Sequence, residues 1–554
     1  MGLLLLFLLA LALPAPAMAA VNVTAFSVTP STTQAGGHPD VTVSTSFQST
    51  PDTDDVKDLI VRFPPGLLGN PNATPKCSPA QFAGDTCPAG TALGSVAVTA
   101  DATVLAVTTS GVVSQGTVYN LPPVGAEPAR LGIKVRPAAI GPVVIEKISL
   151  IAVAKLGVET GYALETTIPN QPRTANSTAG PVALRVTRVD LTLRGRPGPT
   201  PFMINPSSCA AGTATTTAVP YDSGAPSKRT APYTATGCAG LAFAPLVSGT
   251  LGARGGNRRR QTVPLTTVID FPAGSASLRD SVVVLPADII SNVEAIKREC
   301  VAATPLDACP ASATIGSAEA ASPLTAVPLR GPVVLKQNLA LGLPDLVVNL
   351  KGAAPLVLKG RPDFVGNRVR NTFPGAPDVP LSRFTLKVNG GKDGLLLASE
   401  DLCRPDKKQF ASATLKGWNG KVVTRRSALK PGGCKGYRPP KPKATVALRR
   451  RSLSMKVTAG DYTKLRSVRV TLPKGVTVRR VRARARPKAR SLKLGGRGRT
   501  LRVALSRRGT AKLTLTSRRL AVRRGLVGRR VRVRIAAKDS TGRTVRLRVK
   551  TRVR

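Results

Sequence analysis

A single histidine, His38, and a single tryptophan, Trp418, stand among 554 residues, and aromatics make up only 3% of the chain. One histidine cannot furnish the usual serine or cysteine triad with its partners. His38 lies in Gly36-Gly37-His38-Pro39-Asp40, which reads as a turn. Acids are scarce as well, 29 against 81 lysines and arginines, and none carries the local signature of a glycosidase pair. Trp418 and the scattered tyrosines form no evident sugar platform. No C-x-x-C occurs, so a zinc site lacks its usual ligands. Ser427-Ala428-Leu429-Lys430 has the S-x-x-K spacing, but neither S-D-N nor K-T-G accompanies it. Asp52, Asp54, Asp55 and Asp58 could gather calcium, yet a solvated acidic loop explains them more simply. These absences predict a protein that is not an enzyme, with no catalytic residue, cofactor or metal. No long helical stripe appears either, and 48 prolines with 51 glycines exceed what helical domains tolerate.

The front end is apolar. Leu3 to Leu13 is a nearly unbroken apolar run, Pro14 and Pro16 break it, and Ala17-Met18-Ala19 supplies a small-x-small cleavage site. Residues 1–20 therefore read as an export signal, too short to cross a bilayer of roughly 30 Å. The expected mature chain is secreted, has no transmembrane anchor and can hold disulfides. The eight cysteines form two matching sets: Cys77, Cys87, Cys209, Cys238 and Cys300, Cys309, Cys403, Cys434. Each set has a close pair, a long gap and then a pair about thirty residues apart. Pairing inside each copy predicts Cys77–Cys87, Cys209–Cys238, Cys300–Cys309 and Cys403–Cys434. The longer loops would each contribute about 3–4 kcal/mol on the chain-entropy estimate.

Sequence echoes support a duplication. Val56 to Leu67 corresponds to Leu278 to Ile289, each a strand stopped by proline, and Cys87-Pro88-Ala89 corresponds to Cys309-Pro310-Ala311. Gly94 and Gly316 each stand seven residues past their cysteine. The phrase returns a third time at Leu465 to Val476. Residues 21–250 and 251–434 read as two β-modules, with Asn257-Arg258-Arg259-Arg260 a solvated loop or protease-sensitive connector near the joint. Residues 435–447 form a stiff Pro/Lys linker and 448–554 a basic β-sandwich. Short strands separated by Gly, Pro, Ser and Thr make the fold all-β, with serial immunoglobulin-like or Greek-key sandwich modules. Only short helices fit, near Ser78–Ala83 and Val293–Arg298.

Gly36 to Asp40, Phe63-Pro64-Pro65-Gly66-Leu67-Leu68-Gly69-Asn70-Pro71 and Cys87-Pro88-Ala89-Gly90 resemble stretches in repeat-containing secreted proteins of high-GC actinobacteria. The resemblance covers the first module well, the second loosely and the basic end only in style. It implies an extracellular location and a modular build, and nothing catalytic.

The charge is concentrated at one end. Residues 435–554 hold 41 of the 81 bases and two acids, Asp461 and Asp539. Val531 to Ile535 and Val545 to Val549 alternate with period two, which puts apolar side chains on one face and guanidinium groups on the other. Arg482, Arg484 and Arg486 form one predicted row; Arg532 with Arg534 and Arg546 with Arg548 form others. Such rows suit phosphate or carboxylate polymers through bidentate contacts and counterion release. Bases would find no aromatic platform, so no specific nucleic acid is expected. The expected partners are anionic wall polymers, acidic polysaccharides or anionic lipid head groups. The sequence thus predicts a non-enzymatic, cell-envelope-associated structural protein retained at the cell surface through its basic C-terminal domain. The alternative is a secreted carbohydrate- or lipid-binding protein, or a hydrolase with an unrecognised acidic site.

Overall fold

A computed structural model describes residues 21–49, 55–221, 224–253, 257–435 and 437–554. The export segment, Asp52 and Asp54 lie outside the described residues. The described chain is almost entirely antiparallel β-structure, with two short α-helices, Pro79–Ala83 and Val293–Ile296. The first starts at a capping box in which Ser78 and Gln81 satisfy each other's backbone N–H groups.

The first module's main sheet has twelve strands, eleven in one continuous path and a twelfth, Thr174–Ala175, paired beside Val182–Leu193. The spatial order along the path is Val21–Pro30, Val41–Ser49, Val182–Leu193, Ala92–Val104, Val107–Leu121, Arg130–Arg136, Ile148–Lys155, Glu165–Ile168, Val56–Arg62, Gly212–Pro220 and Ser227–Tyr233. Period-two alternation places the core: Val41, Val43 and Phe47 are buried while Thr42, Ser44 and Ser46 face outward. The first and last strands meet through side chains, Ser227 Oγ accepting from Val23 N–H at 3.0 Å and Arg229 donating to the Val23 carbonyl at 3.4 Å. The sheet is therefore nearly closed.

The second module repeats this order strand for strand: Leu246–Leu251, Leu265–Asp270, Arg383–Val388, Thr314–Ala321, Leu329–Lys336, Asp345–Leu350, Leu356–Val365, Arg368–Phe373, Leu278–Val284, Gln409–Gly417 and Val422–Pro431. Here the sheet closes into a barrel. Even the small accessory ladder recurs, Leu68–Gly69 with Met203–Ile204 in one module and Ile289–Ser291 with Leu396–Ala398 in the other. Closure removes the exposed edges that an eleven-stranded open sheet would present.

Between the two modules lies a buried acid, Asp378, which accepts a 2.7 Å hydrogen bond from Ser207 N–H. Burial pushes its carboxyl above the usual range, and hydrogen bonds from Ser277, Ser207 and Ser208 only partly oppose that. Because the folded value is raised, this group's stabilising contribution is complete at acid pH and is lost as pH rises through the folded value. The thermal midpoint should fall over that interval, and Asp378→Asn, neutral throughout, should flatten the decline. Asp378→Ala strands buried donors and should cost about 2–3 kcal/mol in chemical denaturation.

The chain divides into two compact units, one holding residues up to 251 with 262–397 and 410–429, the other holding 252–261, 398–409 and 430–554. Most strands of the second module lie in the first unit, while the stretches 252–261 and 398–409 and the chain from 430 onward group with the second. The reason is local bonding within the second unit: Leu402 N–H donates to the Asn257 carbonyl at 2.9 Å, and the Tyr437 hydroxyl donates to Asp401 at 2.8 Å. Arg259 N–H reaches Asp401 at 3.0 Å and Arg260 N–H reaches the Ala398 carbonyl at 2.7 Å, so this arginine run is pinned by its backbone. The stiff stretch also ends before 447, because Lys443–Arg449 pairs with Ser452–Thr458 as a strand.

The rest of the second unit is a two-sheet sandwich. One sheet orders Lys443–Arg449, Ser452–Thr458, Lys512–Val522 and Val476–Ala485; the other orders Ser491–Gly495, Thr500–Ala504, Leu465–Thr471, Arg530–Asp539 and Thr544–Arg552. Leu453, Val457, Val470, Val478, Leu515, Val533 and Ile535 fill a common core without a single aromatic ring.

Candidate polyanion-binding faces

Strand alternation and register together decide where the cations go. In Arg530–Asp539, Val531, Val533, Ile535 and Ala537 are buried while Arg530, Arg532, Arg534 and Lys538 are exposed. Its neighbour Thr544–Arg552 exposes Arg546, Arg548, Lys550 and Arg552. Arg534 stands directly opposite Arg548, Arg532 opposite Lys550 and Arg530 opposite Arg552. A transverse row then crosses all five strands, from Lys493 to Arg502 to Arg469 to Ala536 to Arg546. Same-face neighbours stand about 6.6–6.8 Å apart along a strand and about 4.5–5.5 Å apart across strands. Eleven cations thus share one outer face.

No carboxylate balances them. Of the two acids in residues 435–554, Asp539 is buried and accepts hydrogen bonds from Thr541 and Arg543 at the turn between the last two strands. Among the described residues, none of the eleven forms an ion pair with a carboxylate. Like charges placed directly opposite destabilise the sheet that carries them.

Arg482, Arg484 and Arg486 are elsewhere. Arg482 and Arg484 lie on the strand Val476–Ala485 of the four-stranded sheet, and Arg486 follows it directly. Since both sheets turn their apolar sides to the common core, these three face away from the other four. A register shift around Arg479-Arg480 moves the inward set from Val476 and Val478 to Val481, Ala483 and Ala485. Arg484, Arg486, Lys488 and Lys512 line a shallow open groove of about 550 Å³. Across the sheet the row from Arg484 continues through Thr514 and Lys456 to Thr445, so hydroxyls separate its charges. The predicted arginines therefore form two opposed faces of unequal density. The strand pattern announces each row, but Lys493, Arg502 and Arg469 join the denser face only through long-range register.

Disulfides join Cys77 to Cys87, Cys209 to Cys238, Cys300 to Cys309 and Cys403 to Cys434. The last lies in the unit that contains the sandwich. His38 Nδ1–H donates to the Met203 carbonyl at 2.9 Å. Burial holds its imidazole below the ordinary value, and the nearby Arg196 charge adds to that. It serves its turn. Ser427 lies in a strand and donates to the Val247 carbonyl at 2.7 Å across the barrel seam, a conformation that points Lys430 to the opposite face. Asp55 pairs with Arg173 at 3.0 Å, and Asp58 accepts from Asn170 N–H at 2.9 Å. The Trp418 indole donates to the Ala376 carbonyl at 2.9 Å beneath the Arg279 guanidinium.

No protein-family model matches the chain, and no curated protein matches it significantly. Among solved structures it is similar to the C-terminal domain of the antigen I/II-family protein AspA of Streptococcus pyogenes, at 9% identity and a TM-score of 0.18, covering 55% of this chain and 99% of that one. It is also similar to the collagen-binding domain of the surface protein RspB of Erysipelothrix rhusiopathiae, at 10% identity and a TM-score of 0.16, covering 55% and 92%. Scores of this size carry no argument about fold or function, nor about the actinobacterial resemblance. Among the described residues, no helix is long and apolar enough to cross a membrane.

Proposed function

We propose that this chain is a secreted, non-enzymatic structural protein of the cell envelope, held at the cell surface when its C-terminal sandwich binds an anionic polymer. The observation that carries this reading is the face of eleven exposed cations with no carboxylate among them. A field of that density raises the energy of the free sheet and is relieved by a polyanion, which also releases counterions. Phosphate-bearing wall polymers, acidic polysaccharides and anionic head groups share the required chemistry. The full chain should sediment with isolated envelope fragments at low salt and leave them at high salt. Retention that ignores salt would overturn the reading.

A further inference from the structure

The second-module barrel encloses an empty space of about 160 Å³, twice the roughly 80 Å³ inside the first module. Apolar side chains such as Leu346, Leu358, Phe373 and Leu386 dominate its lining. Asn371 intrudes among them. In the strand Arg368–Phe373 it shares the inward side with Val369 and Phe373, and its amide oxygen is buried without a hydrogen-bond partner over Gly360. An interior of this kind stays dry and accepts apolar guests, and Asn371 Oδ1, closed off by its neighbours, is not open to them. The lining includes Phe364, itself 57% exposed, together with Ser291 and Ile296. Phe364 thus gives the space an apolar border that solvent reaches.

We infer that the second barrel binds a single unbranched aliphatic chain, which occupies the apolar cavity. A cavity of about 150 Å³ takes a benzene-sized guest, so this one sets a chain of roughly six carbons. This is independent of the polyanion reading, since no residue of the basic sandwich takes part.

The test uses the full chain and 1-alkanols from propanol to decanol, measured by isothermal titration calorimetry. Binding should be one to one, should tighten about three- to four-fold per added methylene, and should level off at about six carbons. Leu358→Trp should abolish it with the thermal midpoint retained, while Leu150→Trp, in the first module, should leave it unchanged. If Leu358→Trp fails to fold, Leu386→Phe replaces it, keeping the fold and weakening hexanol at least fivefold by filling part of the same cavity. No saturable binding at any length, no dependence on length, or binding indifferent to the second-barrel substitution would each overturn the assignment.

Discussion

Replacing Arg532, Arg534, Arg546 and Arg548 together by glutamine should weaken binding of the full chain to poly(glycerol phosphate) about hundredfold at low salt. It should also reduce the slope of log K against log salt by roughly 3, since each phosphate contact contributes about 0.7–0.9. Arg482, Arg484 and Arg486 provide the internal comparison. They lie on the opposite outer face, so their replacement should leave most of the slope in place. An equal loss from both variants would mean that the polymer does not choose the denser face. The four-arginine variant should also be more stable than the parent. Arg534 faces Arg548 across the pair, and relieving such repulsion yields about 1 kcal/mol, a few degrees in thermal midpoint. That gain should vanish in 1 M salt, where the screening length is about 3 Å. A variant that binds less while melting higher cannot owe its lost binding to unfolding.

Local rhythm made much of the sandwich legible. Val531 to Ile535 and Val545 to Val549 announce strands because period two is a property of consecutive residues, and both lie in adjacent strands of the sheet. Two strands escaped that reading. Lys443–Arg449 overlaps a Pro/Lys stretch, and Ser491–Gly495 is short with little burial. The division of the arginines between two sheets is set by non-local pairing: nothing in Val478 to Arg486 says that its partner is Lys512–Val522 rather than a strand of the other sheet. Barrel closure was hidden for the same reason. Its seam joins Val247 to Ser427, 180 residues apart. The cavity around Asn371 was likewise unmarked, because one asparagine in a strand carries no sign of whether its side is inside or out.

Gly94→Ala and Gly316→Ala should each cost about 3 kcal/mol, and the two costs should add. These glycines occupy the same place in the two modules. Gly94 stands opposite Leu193 and Gly316 opposite Val388, and each follows a register shift, after Ala92 in one case and Thr314 in the other. Neither has the positive φ that would itself require glycine; the constraint is space. A Cβ at Gly94 would stand 1.9 Å from the Thr192 carbonyl oxygen, and one at Gly316 would stand 2.0 Å from that of Lys387. A backbone oxygen inside a strand pair cannot swing aside as a side chain can. The strands Val182–Leu193 and Arg383–Val388 would have to move away from their neighbours, losing ladder hydrogen bonds and opening the barrel wall. At roughly 2–4 °C per kcal/mol for domains of 150–250 residues, each substitution should lower the thermal midpoint by roughly 6–12 °C. Gly90→Ala is the matched comparison, since its Cβ would meet nothing within 4 Å, and it should change stability by less than about 0.5 kcal/mol. Because the two sites have separate strand partners, the double variant should show the sum of the single effects within about 0.5 kcal/mol. A large penalty at one site and none at the other would mean that the two modules, though wound alike, do not close their walls by the same contact.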